Sequence, residues 1–565
     1  MKKIYFLLFI SSIFFTANAQ TISDVTEKFI DSVLNKNYSA IEPGAVLLIA
    51  EEGKPIYQKA FGMASMELTV PMKEDYVFAI GSMTKQFTAI AILQLVQQGK
   101  LNLKDDIKLY VPDYNSHDKI ITIENLLTHT SGIPSFTEMD TFSTLFNKDI
   151  TLKEMVGIFQ DAPLLFAPGT DWSYSNSGFN LAGMIIEKVS GMTYEDYLQK
   201  NIFDPLKMTS TTLGSKEKII PRFVNGYQPS MVNYMPAAEF SWTWPYAAGQ
   251  IVSNVNDLLK WDDALYTNTI LNQELIQQAF TNYKLSTGEF ANYGYGWTVG
   301  EYNGVKIIRH GGAINGFLSD AIRIPEKHLY IVMLTNNTKQ RPDGVMNEIL
   351  NKLLDFGITG NAVSIDAEQL KKYTGTFEVN RTGGRLVSNY SDELIYRYFT
   401  IDSNNLYAQR TGGAKYKLTY LGNDEFYTTD KFSRIKFGHE AADKSIMTTN
   451  MFDVFGNYGP NDIGKKTDIP IPTERIEIEL PQQVLQKYEG NYDFGSGFFI
   501  KIFIKDNKLF GQATGQGAFE LYAESETEFF LKIVDAAITF QLNDAGESIG
   551  MTLHQGGNMH AKKVD

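Results

Sequence analysis

The 565-residue chain has no cysteine. An exported protein of this composition cannot rely on disulfides, and it has no residue to carry a lipid after a cleavage site. Long apolar runs are scarce too. The one near the start, Ile4 to about Phe15, is shorter than the ~20 residues needed to cross a bilayer. Positive charge is in deficit, with 51 Lys and Arg against 65 Asp and Glu and a formal charge of −14. Such a surface repels phosphate backbones, so nucleic acid is not an expected partner. HExxH and clustered His/Cys spacings are missing as well, so neither a metal nor any other cofactor is expected.

What the chain does have begins with MKKIYFLLFISSIFFTANAQ. Two lysines, an apolar stretch and Ala17-Asn18-Ala19 fit a cleaved signal peptide over residues 1–19. The sequence predicts a mature chain from Gln20 that is periplasmic or secreted, without lipid or stable membrane anchor. Loss of Lys2 and Lys3 takes the charge from −14 to −16.

At 43% hydrophobic and 21% charged the composition is that of folded protein, and the length calls for several domains. ISDVTEKFIDSVLNK (22–36) has the spacing of an amphipathic helix, and AVLLIAEEGKPIYQKAFG (45–62) that of two strands around Glu52-Gly53. Strand-like runs recur at 293–299, 304–310, 316–324 and 328–335, followed by a helical pattern over 343–356. One antiparallel sheet flanked by helices, with a helical subdomain in between, is the predicted fold of residues 20–360. Beyond that the chain repeats itself. LKKYTGTF (370–377) matches LQKYEGNY (485–492), and NNLYAQRTGGAKYKL (404–418) matches NKLFGQATGQGAFEL (507–521). Leu406 and Leu509, Phe426 and Phe529, Phe437 and Phe540 all keep one spacing of 103. Two copies of a small all-β domain, barrel or sandwich, are therefore expected over 361–465 and 466–565.

AIGSMTKQFTAIAILQL (79–95) sets Lys85 in an apolar run three residues after Ser82. On a helix the two side chains share a face about 5–6 Å apart. S-x-x-K alone says little, because it occurs four times, at Ser82, Ser116, Ser215 and Ser433. Only Ser82 opens an apolar helix. PGTDWSYSNSGF (168–179) adds Tyr174 and Asn176 before a further apolar helix, and RHGGAINGF (309–317) puts His310, Gly311 and Gly312 on a strand, where glycines allow close approach.

In this order, together with LLTHTSGIPS (126–135) and AAGQIVSNVNDL (247–258), these segments resemble the penicillin-recognising serine hydrolases: class C β-lactamases, D-Ala-D-Ala carboxypeptidases, D-aminopeptidases and related esterases. The resemblance covers residues 22–358. It implies Ser82 as nucleophile, Lys85 and Tyr174 as its proton-handling partners, Asn176 as a substrate-orienting amide, and His310-Gly311-Gly312 as the third motif. It also implies an oxyanion site at the backbone N–H groups of Ser82 and Ala313. A lysine in an apolar site has a depressed pKa and can take a serine proton; alternatively Lys85 stays charged and holds Tyr174 as phenolate. His310 departs from the K-T-G of many β-lactamases and resembles the carboxypeptidase and D-aminopeptidase branch. His129 is expected to be a structural hydrogen-bonding residue. The aromatic segment 234–246 is open to two readings, core packing or the lining of an acyl site.

The predicted activity is hydrolysis through an acyl-enzyme on Ser82, with a D-amino-acid peptide or an ester as the small acyl substrate. Acyl transfer or β-lactam hydrolysis would use the same residues. A cell-wall or β-lactam receptor is the non-enzymatic alternative.

Overall fold

The computed structural model describes residues 22–564 apart from 231–232, 303–304, 355–362, 381–394, 412–414, 429–433, 439–445, 451–461, 472–474, 476, 496–497, 515–516, 533, 535 and 556–557. The predicted signal peptide lies outside the described residues. Among those residues no helix is long and apolar enough to cross a membrane.

Residues 24–353 are organised around a six-stranded antiparallel sheet. Its order is Thr298–Tyr302, Val305–Ile314, Phe317–Ile324, Leu329–Thr335, Ala45–Glu51, Lys54–Phe61. Ala45–Glu51 is apolar from Ala45 to Ala50, as a strand covered on both faces requires. Val46, Leu48 and Ala50 enter the larger core, shared with the helical region, while Ala45, Leu47 and Ile49 enter a second core. That second core is closed by the helices Asp24–Asn37 and Pro342–Leu353, through Ile30, Leu34, Met346 and Ile349. The two-residue period of a strand thus sends alternate side chains to separate cores.

Between the first strand pair and the rest of the sheet runs the helical region. Its central helix, Thr84–Gln97, is buried from Thr84 to Leu95 without a solvent face, as its all-round apolar sequence requires. The 293–299 run is not the predicted strand: regular pairing starts only at Thr298. Gly294 and Gly296 bend the preceding residues, and a Cβ on Gly294 would stand 2.0 Å from the Ala279 carbonyl. The aromatic segment divides. Trp244 and Tyr246 join the core. Phe240 and Trp242 are half-buried and meet with tilted rings, centroids 4.7 Å apart.

The sequence repeat is a structural one. Gly375–Asn380 through Asp462–Thr467 form one closed eight-stranded barrel, and Gly490–Asp493 through Asn558–Val564 form another. Closure removes the exposed strand edges of these small sheets. The matching tyrosines have matching tasks. Tyr373 donates to Asp424 Oδ1 and Tyr488 to the Glu526 carbonyl, both at 2.6 Å. Their rings pack on Phe437 and Phe540. The last strand of the first barrel continues to Thr467, two residues past the boundary expected at 465.

Candidate active site

A short 3-10 turn, Gly81–Met83, carries Ser82 and leads into the Thr84–Gln97 helix. Gly81 takes φ +51°, and a Cβ there would stand 2.9 Å from the Ala313 nitrogen. Glycine is the residue that permits both the conformation and the approach. The third motif meets the same turn from the Val305–Ile314 strand. A Cβ on Gly312 would fall 2.0 Å from the Ile80 carbonyl and 2.5 Å from Ser319 Oγ. Ser319 itself donates to the Ile80 carbonyl at 2.8 Å. Sheet and turn are therefore in backbone contact, which brings Ala313 beside Ser82.

Lys85 is fully buried. Its Nζ lies 3.1 Å from Ser82 Oγ, 2.8 Å from Asn176 Oδ1 and 2.8 Å from the Ala248 carbonyl. Burial pushes the amine well below its usual pKa. Tyr174 brings its ring face to the same amine, 4.7 Å from Nζ to the centroid. Its hydroxyl is buried without a hydrogen bond of ordinary geometry. Burial raises its pKa, opposed by the nearby Ser82 hydroxyl.

Asn176 is the first residue of the Asn176–Ser190 helix, capped by Ser175. Its amide is held at both ends: Oδ1 accepts from Lys85, and Nδ2 donates to Ser135 Oγ at 3.3 Å and Thr137 Oγ1 at 3.1 Å. His310 is buried and doubly engaged. Nε2 meets Tyr293 Oη at 2.8 Å and Nδ1 meets the Gly311 carbonyl at 2.6 Å. Since a carbonyl only accepts, the proton sits on Nδ1 and Nε2 accepts from the phenol. Burial, the largest cause, lowers its pKa to about 3. An exposed imidazole titrates at about pH 6–7; burial moves His310 below that range.

Thus Ser82, Lys85, Tyr174, Asn176, His310, Gly311, Gly312 and Ala313 come from three distant segments into one cluster. Two further neighbours were not legible in the sequence. The Ala248 carbonyl shares the lysine, and Tyr293 gives His310 Nε2 its donor. A backbone oxygen has no sequence signature, and Tyr293 lay in a run with strand-like alternation. Among the described residues no group of three or more His, Asp or Glu side chains could hold a metal.

The β-lactamase family matches residues 34–355. The chain belongs to that family. It is a β-lactamase-fold serine hydrolase, as the resemblance implied. Residues 474–563 match a second family, described as a domain of unknown function, DUF3471. Penicillin-binding protein 4* of Bacillus subtilis (strain 168) is 27% identical over 429 residues, covering 71% of this chain and 92% of that protein. Protein flp of Staphylococcus aureus (strain N315) is 28% identical over 360 residues, 62% of this chain and 70% of its own. Among solved structures, the D-amino acid amidase of Ochrobactrum anthropi SV3 complexed with D-phenylalanine aligns with TM-score 0.52 and 26% identity, over 58% of this chain and 98% of the amidase. An octameric penicillin-binding protein homologue from Pyrococcus abyssi, 24% identical, has the same fold over 86% of this chain and 98% of its own, with TM-score 0.52.

Proposed function

We propose that this chain is an exported hydrolase of D-amino-acid amides, short D-amino-acid peptides or related esters, acting through an acyl-enzyme on Ser82. The observation that carries the reading is the 3.1 Å approach of a fully buried Lys85 amine to Ser82 Oγ. Two neighbours of that amine, Asn176 Oδ1 and the Ala248 oxygen, can only accept. A neutral amine gives one N–H to each and turns its lone pair to the serine hydroxyl. Burial favours that neutral form, because it penalises the ammonium. It equally disfavours a Tyr174 phenolate. Lys85 is accordingly the base, and the neutral Tyr174 phenol passes a proton to the leaving group.

In the reaction Ser82 Oγ bonds to the substrate carbonyl carbon as its proton moves to Lys85. The oxyanion is held by the N–H groups of Ser82 and Ala313, a contribution of about 10²–10³ in rate per donor. Collapse breaks the bond to the amine or alcohol, which leaves with a proton delivered through Tyr174 and Lys85. Water then attacks the acyl-enzyme, giving the acid and restoring the serine proton.

Substrate class follows from His310. A lysine at that position could meet a substrate carboxylate with a charge; the buried, neutral, doubly bonded His310 has none to give. Substrates without a carboxylate near the scissile bond are therefore favoured over β-lactams, in keeping with the similarity to the D-amino acid amidase. The test is turnover of D-phenylalanine amide, L-phenylalanine amide, a p-nitrophenyl ester and nitrocefin, alongside fluorophosphonate labelling of wild type and Ser82→Ala. Preference for the D-amide or the ester, with labelling lost in Ser82→Ala, is expected. Equal labelling of the two proteins would overturn the acyl-enzyme, and nitrocefin as best substrate would overturn the substrate class.

A further inference from the structure

Tyr174 poses a question of placement. Its hydroxyl makes no ordinary hydrogen bond, so whatever holds its ring and backbone decides where the phenol stands. His129 meets both. The His129 carbonyl accepts from the Ser173 N–H at 2.9 Å, and His129 Nδ1 accepts from the Ser175 N–H at 3.0 Å. These bonds bracket Tyr174 on either side along the chain. Between them the imidazole lies against the Tyr174 ring, centroids 4.3 Å apart at 38°, on a phenol that also carries the Lys85 amine 4.7 Å from its centroid.

We propose that His129 is a positioning residue for Tyr174, holding the phenol in register with Ser82 and Lys85. The inference rests on the catalytic reading of those three residues. Its reach extends to the third motif, because the same imidazole lies 4.7 Å from the ring of Tyr293, the donor to His310.

Two features distinguish this histidine from ordinary packing. First, His129 takes φ +59°, a left-handed conformation that costs a residue with a Cβ and that is retained where the surroundings demand it. Second, because Nδ1 accepts, the proton sits on Nε2, which is buried with no hydrogen-bond partner. An unpaired buried donor is unfavourable, and an aliphatic side chain would fill the space without one. What an aliphatic side chain cannot supply is the acceptor for Ser175. Burial keeps the imidazole neutral, the form in which Nδ1 can accept.

The test is a double-mutant cycle in the full chain, read by p-nitrophenyl acetate hydrolysis and by the rate of fluorophosphonate labelling. His129→Leu, which deletes the acceptor, should lower kcat by roughly 10–100-fold with KM little changed, a part of what a positioned acid–base group supplies. In a Tyr174→Phe background the same change should cost under about 3-fold, because groups acting as a unit are non-additive. His129→Asn should recover most of the loss, since its Oδ1 replaces the acceptor and asparagine tolerates left-handed backbone. If His129→Leu does not fold, His129→Gly removes the side chain without backbone strain and takes its place in the cycle. Equal losses with and without the Tyr174 hydroxyl, or no recovery in His129→Asn, would overturn the positioning role alone. Full activity in Tyr174→Phe by itself would instead overturn the catalytic reading.

Discussion

Lys85→Met separates what the buried amine does for chemistry from what it costs the fold. Methionine is near lysine in length and apolar, so the core loses little packing. Hydrolysis should fall by ~10² or more, because the serine loses its base. The stability effect is read from its slope with pH. In the unfolded chain Lys85 is protonated up to about 10.5, while burial lowers the folded-state value well below that. Between the two values the unfolded chain holds one more proton than the folded one, so wild-type stability rises with pH. The slope approaches about 1.4 kcal/mol per pH unit inside that window and flattens above 10.5. Lys85→Met lacks this term. Against it the wild type should gain roughly 2 °C in Tm per pH unit through that window. The absolute offset is less telling, because Asn176 Oδ1 and the Ala248 carbonyl each lose a donor, at about 1–3 kcal/mol apiece. Calorimetry of both full-length proteins in steps from pH 7 to 10 supplies the comparison. Because the chain has several separate cores, the transition to follow is the one that the substitution moves. A wild-type-minus-variant difference that stays flat across that range would show that Lys85 folds with its proton on, and the base would have to be sought elsewhere.

Three further outcomes are expected. Lys85→Ala and Tyr174→Phe should each slow acylation by ~10² or more, yet their combination should cost far less than the product, if they form one proton-transfer unit; a fully multiplicative double mutant in rapid-mixing assays would dissolve that unit. Gly312→Ala would drive a Cβ to within 2.0 Å of the Ile80 carbonyl and so push the strand off the nucleophile turn, lowering the yield of acyl-enzyme seen by mass spectrometry by at least the ~10² of an oxyanion donor; unchanged acylation would mean that Ala313 is no part of the oxyanion site. With the His310 pKa at about 3, that group remains neutral above pH 4, and any loss of activity between pH 5 and 7 should persist in His310→Gln; disappearance of the acid limb in that variant would return the titration to His310.

Several features were determined by the sequence alone, because each rests on local pattern. The all-round apolar helix after Ser82, the short strand-like runs of the sheet and the 103-residue repeat of the barrels are properties of neighbouring residues or of copies of one segment. The motif residues were legible for the same reason: each of Ser82-Lys85, Tyr174-Asn176 and His310-Gly312 spans a few positions. The 293–299 run misled, since alternating aromatics and glycines share the period of a strand. Only close backbone packing, such as Gly294 on the Ala279 carbonyl, turns that run into a loop which delivers Tyr293.

Tertiary structure alone decided the charges and the supports. Whether Lys85 is an amine or an ammonium depends on burial by distant segments, among them the one 163 positions away that brings the Ala248 carbonyl to it. Histidine as a residue type titrates near neutrality; enclosure lowers His310 below that range, and the Gly311 carbonyl at Nδ1 leaves Nε2 as the acceptor for Tyr293. His129 likewise acquires its hold on Tyr174 only when the loop after the 123–127 helix meets the segment before the 176–190 helix. Protonation and placement are set by what surrounds a group in space, and in this chain the surroundings of Lys85, Tyr174 and His310 come from segments far apart in sequence.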